Sequence, residues 1–107
     1  MNPKRIALLE EFISNQPEDP FNYYALAMEY YEEDPVKSLR ILETLIAEHH
    51  NYLPSYYKAA YLHWEFENYD EAKRIFEEGI ALALSKNDEK ALNELKSSLH
   101  NLIFESE

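Results

Sequence analysis

The side chains able to do chemistry in this chain are four histidines, twenty-one carboxylates and a short run holding Ser97, Ser98 and His100. A zinc site on one helix needs ligands that share a face, typically at i and i+4. His49 and His50 are adjacent, so on a helix their rings point about 100 degrees apart. His63 falls at an apolar packing position and His100 stands alone. The spacing predicts no metal site: His63 is expected as a hydrogen-bonded core residue, and the others at the surface or at helix ends. Glu32, Glu33 and Asp34 crowd a helix end, where turn solvation and repulsion are the consequence, not a tuned acid and base. Ser97 and Ser98 lack the strained Gly-x-Ser-x-Gly turn that exposes a nucleophile. The single glycine, Gly79, leaves no phosphate-cradling loop and no dinucleotide turn. No catalysis and no cofactor are expected.

The positive signal is aromatic. Tyr23, Leu26, Ala27 and Tyr30 fill one helical face, and Tyr24, Met28 and Tyr31 form a second apolar stripe about 100 degrees away. Tyr57, Tyr61 and Trp64 repeat that second stripe beside Tyr56, Ala59, Ala60 and His63. A helix apolar on both sides must bury both, internally or against something that arrives later.

These stripes must be carried by helices. Asn2 with Pro3 starts the first, whose Ile6, Leu8, Leu9, Phe12 and Ile13 precede the stop at Asn15, Gln16 and Pro17. Asp19 with Pro20 starts a second, to about Glu33, and Asp34 with Pro35 a third bearing Leu39, Leu42, Leu45 and Ile46. A fourth follows Pro54 to about Phe66, and a fifth runs from near Asp70 to near Ser85. Lys86, Asn87 and Asp88 introduce a sixth, with Leu92, Leu95, Leu99, Leu102 and Ile103 on one face. The third and fifth are amphipathic, with Lys37, Arg40, Glu43, Lys73, Arg74, Glu77 and Glu78 on the polar side.

Composition narrows the partners. With 107 residues the chain is the size of one small domain, able to bury a core without disulfides. A net charge of -11 repels the phosphate backbone, and the cations are scattered, so neither nucleic acid nor an anionic membrane is expected. The apolar run Ile6 to Leu9 is too short for a signal sequence or a membrane span, which takes about 20 residues. The absence of cysteine fits a reducing compartment. A cytoplasmic location is expected.

The helices repeat. Tyr23, Leu26, Ala27 and Tyr30 recur 33 residues later as Tyr56, Ala59, Ala60 and His63. Ser38, Leu42, Leu45 and Ile46 recur 34 residues later as Ala72, Phe76, Gly79 and Ile80, which places one inserted residue in the turn near Asn68. Leu9, Phe12 and Ile13 precede Leu42, Leu45 and Ile46 by 33 residues, so the first helix reads as half a repeat. Leu92, Leu95 and Leu99 follow Tyr56, Ala59 and His63 by 36, so the last helix reads as another half, capping the array.

This pattern resembles the tetratricopeptide repeat: Tyr56 stands for its aromatic, Ala59 and Ala60 for its Leu-Gly pair, His63 for its Tyr, and Ala72 and Phe76 for its Ala and Phe. The first copy departs from it with Ser38 and Leu42, and Lys96 stands where a small residue is usual. The resemblance implies an all-α, right-handed α-solenoid of stacked antiparallel hairpins. Residues 1–107 would be a single domain: a half-repeat at 1–17, repeats at 20–52 and 53–86, and a capping helix at 88–104. It also implies a concave groove that binds peptides, lined here by Tyr24, Met28, Tyr31, Tyr57, Tyr61 and Trp64, with Lys58 and Glu65 beside them. The family members that grip a terminal carboxylate use paired basic residues and Asn, whereas Tyr24, Ala25, Met28 and Pro54 hold most of those places. The expected ligand is therefore a protein or peptide with apolar or aromatic anchors, the alternative being a homodimer formed through the same stripe.

Overall fold

A computed structural model describes residues 1–107 as six helices. They are α1 (Pro3–Asn15), α2 (Pro20–Tyr30), α3 (Pro35–Glu48), α4 (Pro54–Glu65), α5 (Tyr69–Ser85) and α6 (Glu89–Ser106). The all-α reading is correct. Four starts are made by the residues whose chemistry predicts them. Asn2 Oδ1 accepts from the Lys4 and Arg5 amides, and Asp19, Asp34 and Asp88 accept from those of Phe21, Lys37 and Ala91, all at 3.0–3.2 Å. Each bond satisfies a donor that the first turn leaves without a partner.

Helix α2 ends at Tyr30, earlier than expected. Tyr31 to Glu33 form a turn, and the Asp34 amide closes it on the Tyr30 carbonyl at 2.8 Å. Three successive carboxylates would oppose the negative end of the helix dipole, which favours stopping before them. With only one glycine in the chain, the left-handed positions after α4 and α5 fall to Glu67 (φ 62) and Asn87 (φ 56). In both turns the next amide reaches back to the last helical turn: Asn68 to the His63 carbonyl and Asp88 to that of Ala83.

The helices gather into two compact units, Met1–Ser55 and Tyr56–Glu107. In the first, α2 packs on α3 and also on α1, around Leu9, Ala27, Leu39, Leu42 and Leu45. Ser38, which replaces the family's Ala, is fully buried, and its hydroxyl donates to the Ala27 carbonyl at 2.7 Å, fastening α3 to α2. In the second, Ala59, Ala60, Leu62, Ile75, Phe76, Leu95 and Leu102 are buried and α5 packs closely on α6. Gly79 lies where a Cβ would come within 3.0 Å of the Tyr56 Cβ and 3.4 Å of the Leu95 methyls. The charged side chains expected on the outer faces of α3 and α5 are all exposed.

Candidate interaction surface

Tyr57, Tyr61 and Trp64 lie at i, i+4 and i+7 on α4 and form a ladder. The Tyr57 and Tyr61 rings stack at 5.4 Å between centroids, and Tyr61 meets Trp64 at 5.2 Å. Tyr57 and Trp64 both stand edge-on to the buried Phe76 ring of α5, at 6.2 and 6.4 Å. The Ser98 hydroxyl of α6 donates to the Tyr57 hydroxyl at 3.4 Å. All three rungs are half-buried, as is Lys58, while Glu65 is exposed. The spacing alone puts this stripe off the face that packs α4 on α5; the structure widens that face, because Phe76 is long enough to support both outer rungs. What results is an aromatic ledge held from behind by Phe76, with polar atoms at its edge, a form suited to gripping apolar side chains.

In the first unit the second stripe is also half-buried along its length, at Tyr24, Met28 and Tyr31. Tyr24 meets Tyr52, from the loop after α3, at 5.6 Å and an interplanar angle of 57°. Burial raises the pKa of both hydroxyls above the ordinary tyrosine value, with the Tyr52 phenol adding to the effect at Tyr24 and Asp19 to that at Tyr52. Tyr23 packs on His49, the residue that ends α3, at 5.9 Å. The parts that Tyr52, Phe76 and Ser98 play in these surfaces escape the sequence reading. Tyr52 sits in a loop with no period to read, and Phe76 and Ser98 belong to other helices whose crossing decides what they touch.

The groups considered for chemistry are placed as follows. His63 is buried and its Nδ1 lies 3.4 Å from the Asn68 side-chain nitrogen, as a core histidine should. His50 and His100 are exposed. Arg74 binds Glu71 and, at 2.6 Å, Glu78; its hydrogen bond to Glu71 holds the Glu71 carboxyl below its usual range. Arg5 pairs with Glu29 at 2.7 Å, and the Lys37 ammonium sits 4.5 Å above the Tyr30 ring. No helix is long and apolar enough to cross a membrane.

Residues 17–106 match the family model described as anaphase-promoting complex subunit 5. Among solved structures, a solution NMR structure of a tetratricopeptide repeat domain protein from Salinibacter ruber is 31% identical. It has a TM-score of 0.75 and covers 80% of this chain and 88% of its own. A crystal structure of a tetratricopeptide repeat domain protein from the same organism is 28% identical, with a TM-score of 0.76, over 78% and 96%. No curated protein matches the chain.

Proposed function

This chain belongs to the anaphase-promoting complex subunit 5 family of tetratricopeptide-like helical repeats, a fold that serves generally in protein–protein interaction, and we propose that it is a noncatalytic binding module for a peptide or protein segment. The observation that carries this reading is the Tyr57–Tyr61–Trp64 ledge, three contiguous aromatic rings supported by Phe76 and only half-buried. Tyr24, Met28 and Tyr31 supply the corresponding stripe in the first unit, and Lys58 and Glu65 the polar edge in the second. The repeats are read at 20–52 and 53–86, flanked by half-repeats at 1–17 and 88–104. A ligand with apolar or aromatic anchors, and a basic residue to meet Glu32 or Glu65, suits these surfaces. The name of the family, a complex subunit, supports a role in holding a protein partner.

Trp64, the single tryptophan, reports directly on the ledge. In the free protein its emission should be partly accessible to acrylamide. A peptide selected by display on the full chain should shift that emission to the blue and protect it. Tyr61→Ala should weaken binding by about 1–3 kcal/mol while leaving the fold intact. Selected peptides that bind equally well to the Tyr61→Ala and Trp64→Phe variants would remove the ledge as the site; a symmetric dimer lost on Tyr61→Ala would make it a self-association surface instead.

A further inference from the structure

On the other side of the first unit, α1, α2 and α3 enclose an open hollow of about 620 Å³ that no part of the aromatic stripe lines. Its floor is Ile13, Leu26 and Ile41, all half-buried. Lys37 and Arg40 stand on the α3 edge and Glu10 on the α1 edge. The placement is notable for an acidic chain, because residues 1–55 hold only four cations, Lys4, Arg5, Lys37 and Arg40. Arg5 is taken by Glu29 and Lys37 lies over Tyr30, while Arg40 is exposed and forms no ion pair. An apolar floor beside an exposed, unpaired guanidinium suits an apolar side chain next to a carboxylate.

The far end of the chain presents that combination. Leu102 is buried and anchors the last turn of α6, but Phe104 is 77% exposed and Ile103 38%. Glu105 and Glu107 follow this pair, and no basic residue stands in the last turn of α6 to oppose the negative end of its dipole. Ser106 of that turn also shares an acidic hollow of about 580 Å³ with Glu67, Asp70 and Glu71. The tip is thus apolar with two carboxylates behind it, a match for the α3 edge of the hollow, where Lys37 and Arg40 stand beside the apolar floor.

We propose that a second copy of this chain docks the last turn of its α6, led by Phe104, into the hollow of α1 to α3, where Lys37 and Arg40 meet Glu105 and Glu107. The contact joins two different surfaces, the tip of one copy and the hollow of another. It is small, and its affinity accordingly modest and dependent on salt.

Sedimentation of the 107-residue chain from micromolar to near-millimolar concentration, at low and high salt, tests this. Self-association should rise with concentration and fall with salt. Arg40→Glu should weaken it about tenfold or more by reversing the charge at the contact, and Phe104→Ser should do the same by removing a central anchor. Both residues are exposed, and circular dichroism should show both variants folded. The decisive sample is their mixture: the intact tip of Arg40→Glu and the intact hollow of Phe104→Ser should restore a single one-to-one pair that cannot grow. A chain monomeric at every concentration, an association that neither substitution weakens, or a mixture that forms no pair would overturn the proposal. So would an association that Tyr61→Ala abolishes, which belongs to the aromatic ledge.

Discussion

Gly79 is the sharpest single probe of how α4, α5 and α6 meet. Two opposed effects act when it becomes Ala. Within a helix, Ala is favoured over Gly by about 1 kcal/mol, because the unfolded chain loses less freedom on folding. Against that, the new methyl would lie 3.0 Å from the Tyr56 Cβ and 3.4 Å from both Leu95 methyls. A Leu methyl can rotate away, but a Cβ is fixed to its backbone, so relief requires α4 and α5 to separate by a few tenths of an ångström. Overpacking of this kind costs about 1–3 kcal/mol. The expected net result is a loss of about 1 kcal/mol, or roughly 4–8 °C in melting temperature for a domain of this size. Thermal and urea unfolding followed by circular dichroism would measure it. Ala81→Gly on the exposed side of α5 isolates the backbone effect and should cost about 0.5–1 kcal/mol. In a Leu95→Ala background most of the Gly79→Ala penalty should persist, since the Tyr56 contact remains. A Gly79→Ala protein that melts above the parent would show that α4 yields freely and that the close approach imposes no constraint.

Further outcomes follow from the turns, the last helix and the tyrosines. Glu67 occupies a left-handed conformation at a helix end, so Glu67→Gly should stabilise by about 0.5–1 kcal/mol, and Asn87→Gly by less, because Asn tolerates φ 56 better; equal effects in chemical denaturation would contradict this. Removing residues 88–107 uncovers the α5 face against Leu95 and Leu102, whose burial contributes about 1.5–3 kcal/mol each. That truncation should melt far lower or aggregate, and an unchanged, monomeric truncation would show that α6 is not a cap. Burial raises the hydroxyl pKa of Tyr24, Tyr52 and Tyr56, with Glu78 adding to the effect at Tyr56. The folded state therefore holds these protons more tightly than the unfolded chain. The resulting stability is fully present below the ordinary tyrosine value of about 10 and is lost as the pH rises through the folded values. Ultraviolet titration should show three late-ionising phenols, with Tyr52→Phe removing one, and stability independent of pH above 10 would refute the assignment.

Chemistry that acts within a few residues was legible in the chain. The caps at Asn2, Asp19, Asp34 and Asp88 and the prolines behind the first three are local hydrogen-bonding and steric facts, and each cap starts a helix where expected. The period of the apolar residues set the faces of α3 and α5, and the 33- and 34-residue recurrences pointed to the family. His63 as a partnered core residue and the stripe at Tyr57, Tyr61 and Trp64 were also within reach, since both depend on position along one helix. What the stripe rests on was not. Phe76 supports Tyr57 and Trp64, Ser98 reaches Tyr57, and Tyr52 covers Tyr24 only because helices and a loop distant in the chain cross at particular angles. The hollow under Arg40 likewise needs α1 and α3 on either side of α2. Periodicity assigns each residue to a side of its own helix; whether that side meets a neighbour, and how closely, is decided by side-chain volumes at the crossing, and Gly79 against Tyr56 is where that decision is tightest.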